Sequence, residues 1–361
     1  MGFDIARGPK VPRFFQPASL RPVKVGIVGA GAIGCYVGGR LRARGGEVVF
    51  FGRPRVKAEV ETNGLDLQDG AGSGATLRVQ PSEVQFVTEV GGLRGCDVLL
   101  VCVKSAQTVE VAADLDGKVD DSALVVSMQN GLGNAETIRK KLPRHTVLGG
   151  IVGFNVVSSH AGTFRRATTG PLVIERHVDP RVTALAELFR AADLETEVVG
   201  DIRAKQWSKL VMNLNNAVSA LTGAPTQALI FDASYRRIVR AVTVEALDLI
   251  KRAGHVPSKV GPLPVQLFPL LLALPSALLK LVARIQVKID PTARSSMWED
   301  LSRGRLTEVD YLNGEIIRLA DSLGTKAPIN QRIIELVRDA ELRAKGPPNL
   351  SADALWQAIN A

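Results

Sequence analysis

A chain of 361 residues is long for one hydrophobic core and favours two domains. With 46% hydrophobic and 22% charged residues the composition excludes a disordered or fibrous chain. The net charge of +9 is scattered, with no basic run and no basic patch interleaved with aromatics, so it favours anionic small molecules over nucleic acid.

Residues 1–22 contain no continuous apolar stretch of the kind a secretory signal needs and read as a poorly ordered N-terminal extension. With no targeting signal recognised, a cytoplasmic protein is expected. From Val23 short β-branched runs alternate with helical stretches. VKVGIV (23–28), EVVFF (47–51), DVLLVCV (97–103) and ALVVSM (123–128) are nearly continuous apolar runs, as parallel strands covered on both faces require. Between them 32–44, about 105–114 and 134–142 have helical patterns. The expected fold class is therefore α/β, a doubly wound Rossmann-type dinucleotide-binding domain over 23–200.

Within 150–175, GTFRRA and PLVIE read as an antiparallel edge or hairpin, followed by a helix over 179–193 and a last strand over 195–199. After Gly200 the character changes. Helical periodicity, broken only at glycine and proline clusters, predicts an all-helical second domain over 201–361. Its most apolar part, LFPLLLALPSALLKLVA (267–283), is interrupted by prolines and a lysine and falls short of the roughly 20 apolar residues of a membrane span. A helical hairpin or cap, or a subunit interface, is the better reading, and a homodimer through the helical domain is compatible with it. No membrane insertion is expected. Cys35, Cys96 and Cys102 form no C-x-x-C, and the four histidines are spread singly, so no disulfide framework and no metal site are expected.

The clearest motif is VGIVGAGAIG. Gly29-Ala30-Gly31-Ala32-Ile33-Gly34 carries G-x-G-x-x-G directly after the first strand and at the start of a helix. The first glycine permits a tight turn, the second admits a pyrophosphate, and the third lets helix and strand pack closely. An enzyme using NAD usually ends the second strand with Asp or Glu to hold the ribose 2′-hydroxyl. This chain reads Phe50-Phe51-Gly52-Arg53 instead. A guanidinium suits a 2′-phosphate, which points to NADP(H); the competing reading is an arginine in a surface turn. Lys104 and Asn130-Gly131 follow the third and fourth apolar runs, at the strand ends where such sheets bind ligands, and are candidate contacts to the nicotinamide half of the cofactor.

A second motif lies in the helical part. WSKLVMNLNNA (207–217) is apolar enough for a core helix yet carries a lysine and three asparagines. At about 100° per residue, with Lys209 at zero, Asn213 falls near ~40° and Asn216 near ~340°. These three share one face, and Asn215 falls off it as a structural residue. Taken alone, Lys209 could simply extend to solvent.

GAGAIG, Arg53, VKSAQ (103–107), QNGLG (129–133), WSKLVMN (207–213) and SSMWEDLSRGRLTEVDYLNG (295–314) together resemble the ketopantoate reductase (2-dehydropantoate 2-reductase) family over about 23–345. That family reduces 2-dehydropantoate to pantoate with NADPH, on the route to pantothenate and coenzyme A. The resemblance implies that Lys209 is the catalytic acid and Glu308 its partner near the nicotinamide ribose. It implies cofactor contacts from Lys104 and Asn130, Asn130 also lying near the substrate, and substrate contacts from Asn213 and from Ser296, the latter on the substrate carboxylate. Two positions depart from the family pattern. An asparagine common eight residues after the lysine is Ala217 here, with Asn216 one place earlier, and an asparagine three residues before the matched serine is Ala293. The chemistry suits these side chains independently: hydride addition builds negative charge on a carbonyl oxygen, which an adjacent ammonium can stabilise and protonate. Two alternatives stand beside this reading, a related NADP-dependent dehydrogenase for a different, more apolar keto or hydroxy acid and a non-catalytic NADP-binding sensor.

Overall fold

The computed structural model describes residues 23–70, 76–260, 263–283 and 293–361. The N-terminal extension and part of the 262–288 segment lie outside the described residues. The N-terminal half is a mixed α/β unit with strands β1 (Lys24–Val28), β2 (Glu47–Phe51), β3 (Leu65–Asp69), β4 (Thr76–Val79), β5 (Gln85–Val87) and β6 (Val98–Val101). It continues through β7 (Leu124–Ser127), β8 (Val147–Val152), β9 (Val156–His160), β10 (Thr163–Arg166), β11 (Leu172–Glu175) and β12 (Thr196–Val199). Eight of these form one twisted sheet in the order β12-β11-β8-β7-β6-β1-β2-β5. β1 sits centrally, Val28 pairing with Phe51 on one side and Val101 on the other, both in parallel register. Helices α1 (Ala32–Ala43), α2 (Pro54–Asn63), α3 (Thr108–Leu115), α4 (Asn134–Lys141) and α5 (Pro180–Ala191) accompany the strands. Strands β1, β6 and β7 are almost wholly buried, as expected of apolar runs covered on both faces.

GTFRRA and PLVIE do not pair with each other as a hairpin: GTFRRA holds β10, which forms a hairpin with β9 outside the main sheet, and PLVIE holds β11. β10 pairs in parallel with β3, and the order β4-β3-β10-β9 makes a separate four-stranded sheet. Leu65 and Leu67 of β3 are fully buried, and Gly39 of α1 is close enough to Leu67 that a Cβ there would approach it to 2.9 Å. Arg40 of α1, almost wholly buried, donates to Asp69 at 2.6 Å and to the Ala192 carbonyl at 2.7 Å, while Arg166 of β10 pairs with Asp69 at 2.9 Å. The small sheet is thereby locked to the helix that follows the glycine turn. β11 then rejoins the main sheet antiparallel to β8.

From Ile202 onward the chain is mainly helical: α6 (Ile202–Asn213), α7 (Asn215–Thr222), α8 (Thr226–Phe231), α9 (Ala233–Arg252), α10 (Phe268–Leu272), α11 (Ser276–Ala283), α12 (Ser296–Ser302), α13 (Val309–Ser322), α14 (Pro328–Arg343) and α15 (Ala352–Asn360). Asp201 caps α6 by accepting from the Ala204 N–H at 2.9 Å. Leu210, Val211, Leu214, Val218 and Leu221 join residues of α9, α13 and α14 in one buried core. Glu245 of α9 accepts from the Ile329 and Asn330 N–H groups and so caps α14 from outside. Within 267–283 the chain makes two short helices, α10 and α11, and among the described residues no helix is long and apolar enough to cross a membrane.

Candidate active site

A cleft of about 1020 Å³ runs from the carboxyl ends of β1, β2, β6 and β7 to α6, α7, α12 and the start of α13. Each element brings a specific group to it. At its first end, Gly29 has φ of 106°, a conformation that L side chains rarely adopt, and the N–H groups of Gly29 and Ala30 both donate to the Phe51 carbonyl. Gly31 is the N-cap of α1. The two later glycines serve different purposes: a Cβ on Gly34 would lie 2.2 Å from the Gly29 carbonyl oxygen, whereas one on Gly31 would meet nothing within 4 Å. Gly34 permits packing, and Gly31 leaves open space above the helix start. No acidic side chain occupies the first turn of α1 and no side chain caps it, so its N–H groups and positive dipole end suit a pyrophosphate. Ala30, Ala32 and Ile33 line the same end. Arg53 is exposed on the cleft wall at the N-cap of α2, with no carboxylate at the end of β2. This end of the cleft fits a dinucleotide.

The other end is polar and partly buried. Lys209 on α6 donates to the Asn130 carboxamide oxygen at 2.9 Å and to the Val152 carbonyl at 2.6 Å. Burial lowers its pKa from 10.5 to about 8, opposed in part by the negative charge of Glu308. Glu308, at the N-cap of α13, accepts from the Ser105 N–H at 3.1 Å and from the Asn130 side-chain NH₂ at 3.1 Å. Its hydrogen bonds run to Ser105 and Asn130 rather than to the ammonium. Asn130 stands between the two charges, and its own backbone carbonyl is held by Ser105 Oγ at 3.0 Å and Asn134 Nδ2 at 2.7 Å. The Ser105 N–H that reaches Glu308 and the Val152 carbonyl that reaches Lys209 are backbone groups, which carry no side-chain signal in the sequence.

Lys104 does line the cleft, yet its ammonium is engaged, pairing with Asp300 of α12 at 2.5 Å and donating to the Leu306 carbonyl at 3.3 Å. Burial, reinforced by Glu308, raises the Asp300 pKa above the ordinary value against the pull of Lys104. Asn213, Asn216 and Ser296 all line the cleft. The single-helix reading of 207–217 requires correction: α6 ends at Asn213, α7 begins at Asn215, and the junction at Leu214 brings Asn215 to the cleft wall as well. Leu214 is apolar and buried, so nothing in the hydrophobic pattern signals the break. Ala217 is fully buried in the helical core. Of the two serines in SSM, Ser295 is the helix cap. It accepts from the Trp298 N–H at 3.1 Å and donates to the Asn216 carbonyl at 2.9 Å, while Ser296 is exposed on the cleft wall.

Comparison with known proteins bears on the family and the fold. Residues 25–179 match the family profile described as ketopantoate reductase PanE/ApbA, and residues 201–341 match that of its C-terminal domain. A crystal structure of a PanE/ApbA family ketopantoate reductase from Ralstonia eutropha is 31% identical, with 90% of this chain and 100% of that chain covered and a TM-score of 0.75. A 2-dehydropantoate 2-reductase from Halobacterium salinarum is 28% identical over 326 residues, 88% of this chain and 99% of that protein. A D-mandelate dehydrogenase bound to NADH and anilino(oxo)acetate shares the fold at 19% identity, with 89% of this chain and 99% of that chain covered and a TM-score of 0.72.

Proposed function

The chain belongs to the ketopantoate reductase family, and from that premise we propose that it reduces the ketone of a 2-oxo acid with NADPH, 2-dehydropantoate to pantoate being the favoured pair. The observation that carries this reading is the state of Lys209. Two neutral acceptors hold its ammonium, leaving one of its three N–H groups uncommitted among the described residues, and burial brings its pKa to about 8. A group so tuned holds a proton at neutral pH and gives it up readily, as a general acid must.

NADPH, when bound, supplies the hydride. The protein's own groups do the rest. The N-terminus of α1 and the space above Gly31 would hold the pyrophosphate, and Arg53 would supply the charge for the 2′-phosphate. Lys209 stabilises the negative charge that develops on the ketone oxygen and then protonates it. Glu308 holds the Asn130 carboxamide, and that carboxamide in turn aims the ammonium. An amide does not ordinarily relay a proton, so Glu308 acts by orientation and by its charge. In this reading Lys104 and Glu308 would face the nicotinamide half, while Asn213, Asn216 and Ser296, which line the cleft, would position the small-molecule substrate without adding charge. In this reading 23–200 binds the cofactor, 201–361 supplies the catalytic lysine and most substrate contacts, and the cytoplasm provides the reduced cofactor.

A second reading keeps the reaction and changes the acid reduced. It is favoured by Ala293, which puts a methyl on the cleft wall where the family pattern has an amide. Ala217 is a weaker argument for it, because that residue lies in the core and Asn216 lines the cleft in its stead. NADPH oxidation measured against 2-dehydropantoate and a panel of 2-oxo acids separates the two readings, and failure on every oxo acid sinks both.

A further inference from the structure

The loop entering α12 places a cation where the family pattern has an amide one residue earlier. The Ala293 carbonyl accepts from the Thr226 N–H at 2.9 Å, and its side chain offers no donor. The Ser295 hydroxyl is committed in both directions, to the Trp298 N–H and to the Asn216 carbonyl. Arg294 lies between them. It is exposed, lines the cleft, and lays its guanidinium over the Trp298 indole with 4.3 Å from Cζ to the ring centroid. Among the described residues no carboxylate pairs with it. The nearby acid on α12, Glu299, faces Arg303 at 3.9 Å.

A guanidinium held against an aromatic ring loses conformational freedom, and its N–H groups match a carboxylate through two parallel hydrogen bonds. Lys209, the group assigned to the ketone oxygen, lines the same cleft. A 2-oxo acid carries its carboxylate one bond from its ketone, so one cleft that holds both an ammonium and a guanidinium offers a partner for each group.

We propose that Arg294, held on Trp298, binds the substrate carboxylate in this protein, beside Ser296 and in place of the amide that Ala293 lacks. Arg294 is then a specificity-determining residue that selects free 2-oxo acids over neutral ketones. The inference rests on the reductase reading of the same cleft, and the measurements below keep the two apart.

Steady-state reduction of 2-dehydropantoate is compared with that of its methyl ester, which keeps the ketone and loses the charge, at saturating NADPH. Arg294→Ala is expected to raise KM for the acid roughly ten- to a hundredfold, leave kcat little changed, and leave KM for the ester unmoved. Arg294→Lys recovers part of the loss. Trp298→Leu also raises KM for the acid, and Trp298→Phe restores it. A merely structural role shifts acid and ester together, and that outcome, or an unchanged KM for the acid, overturns the proposal. Binding of oxamate, an unreactive 2-oxo acid isostere, to the NADPH-loaded protein gives a second readout independent of turnover. Weakening in Arg294→Ala by a similar factor supports the proposal, whereas equal affinity, or no binding to the wild-type protein, overturns it. Oxamate binding that depends on Arg294 without turnover of any oxo acid places the failure in the reductase reading.

Discussion

Lys209 and Glu308 are joined without a direct hydrogen bond, through the Asn130 carboxamide, which accepts from the ammonium at 2.9 Å and donates to the carboxylate at 3.1 Å. The ammonium is held at a defined point by groups that do not neutralise it. Its charge is opposed by burial and supported only at a distance by Glu308, which leaves its pKa at about 8 rather than 10.5. The acid works only while protonated. In the direction of ketone reduction, kcat/KM is therefore expected to be level below about pH 8 and to fall as pH rises through that value. The reverse oxidation should rise over the same interval. A pH profile of both directions checks this, and Lys209→Ala should lower kcat by roughly 10²- to 10⁴-fold while NADPH affinity, read by fluorescence titration, stays within a few-fold.

Glu308→Gln preserves the shape of the side chain and removes its charge. That charge raises the Lys209 pKa, so its loss lets burial act unopposed and lowers the pKa further. The alkaline limb of the reduction profile should move to lower pH, and activity at pH 8 should fall more than activity at pH 6. A limb that stays in place would mean that Glu308 acts only by holding Asn130.

These two residues also show what the sequence could reveal. Lys209 and Asn213 were recognisable as one face of α6 because a 3.6-residue period is a property of side-chain order, and Asn216, across the Leu214 junction on α7, lines the cleft with them. The Asn130 bridge was not recognisable, since it depends on a loop after β7 meeting two helices more than seventy residues away. The Leu214 junction was hidden for a different reason. Leucine is a strong helix former, Leu214 itself keeps helical dihedrals, and no glycine or proline marks the junction. The glycine turn and main sheet were legible because buried parallel strands are continuous apolar runs. β3, reading LDLQD, offers only Leu65 and Leu67 as buried apolar residues between polar ones, too short a pattern to stand out beside the continuous runs, and its small sheet was not foreseen.

Arg53 makes no ion pair with any described residue and sits at the end of β2 with its side chain exposed. In the NADPH reading, Arg53→Ala should weaken NADPH roughly ten- to a hundredfold, the loss of charge-assisted bonds to one phosphate. NADH affinity should change little, so the ratio of the two kcat/KM values falls by the same factor. An unchanged ratio moves the phosphate contact to another group.

The glycine turn offers a paired test in which folding and cofactor binding separate. Gly34→Ala drives a Cβ to 2.2 Å from the Gly29 carbonyl oxygen, a backbone atom that cannot swing aside. It should cost about 1–3 kcal/mol or more through forced movement of α1 from β1, lowering Tm and NADPH affinity together. Gly31→Ala meets no protein atom within 4 Å, and Gly31 has φ of −86°, which alanine adopts without strain. Its Tm should match the wild type. The added methyl stands in the space assigned to the pyrophosphate, so NADPH affinity should still collapse. Thermal denaturation without cofactor, set beside NADPH titration, distinguishes the two variants, and undiminished binding by Gly31→Ala would remove the pyrophosphate from this turn.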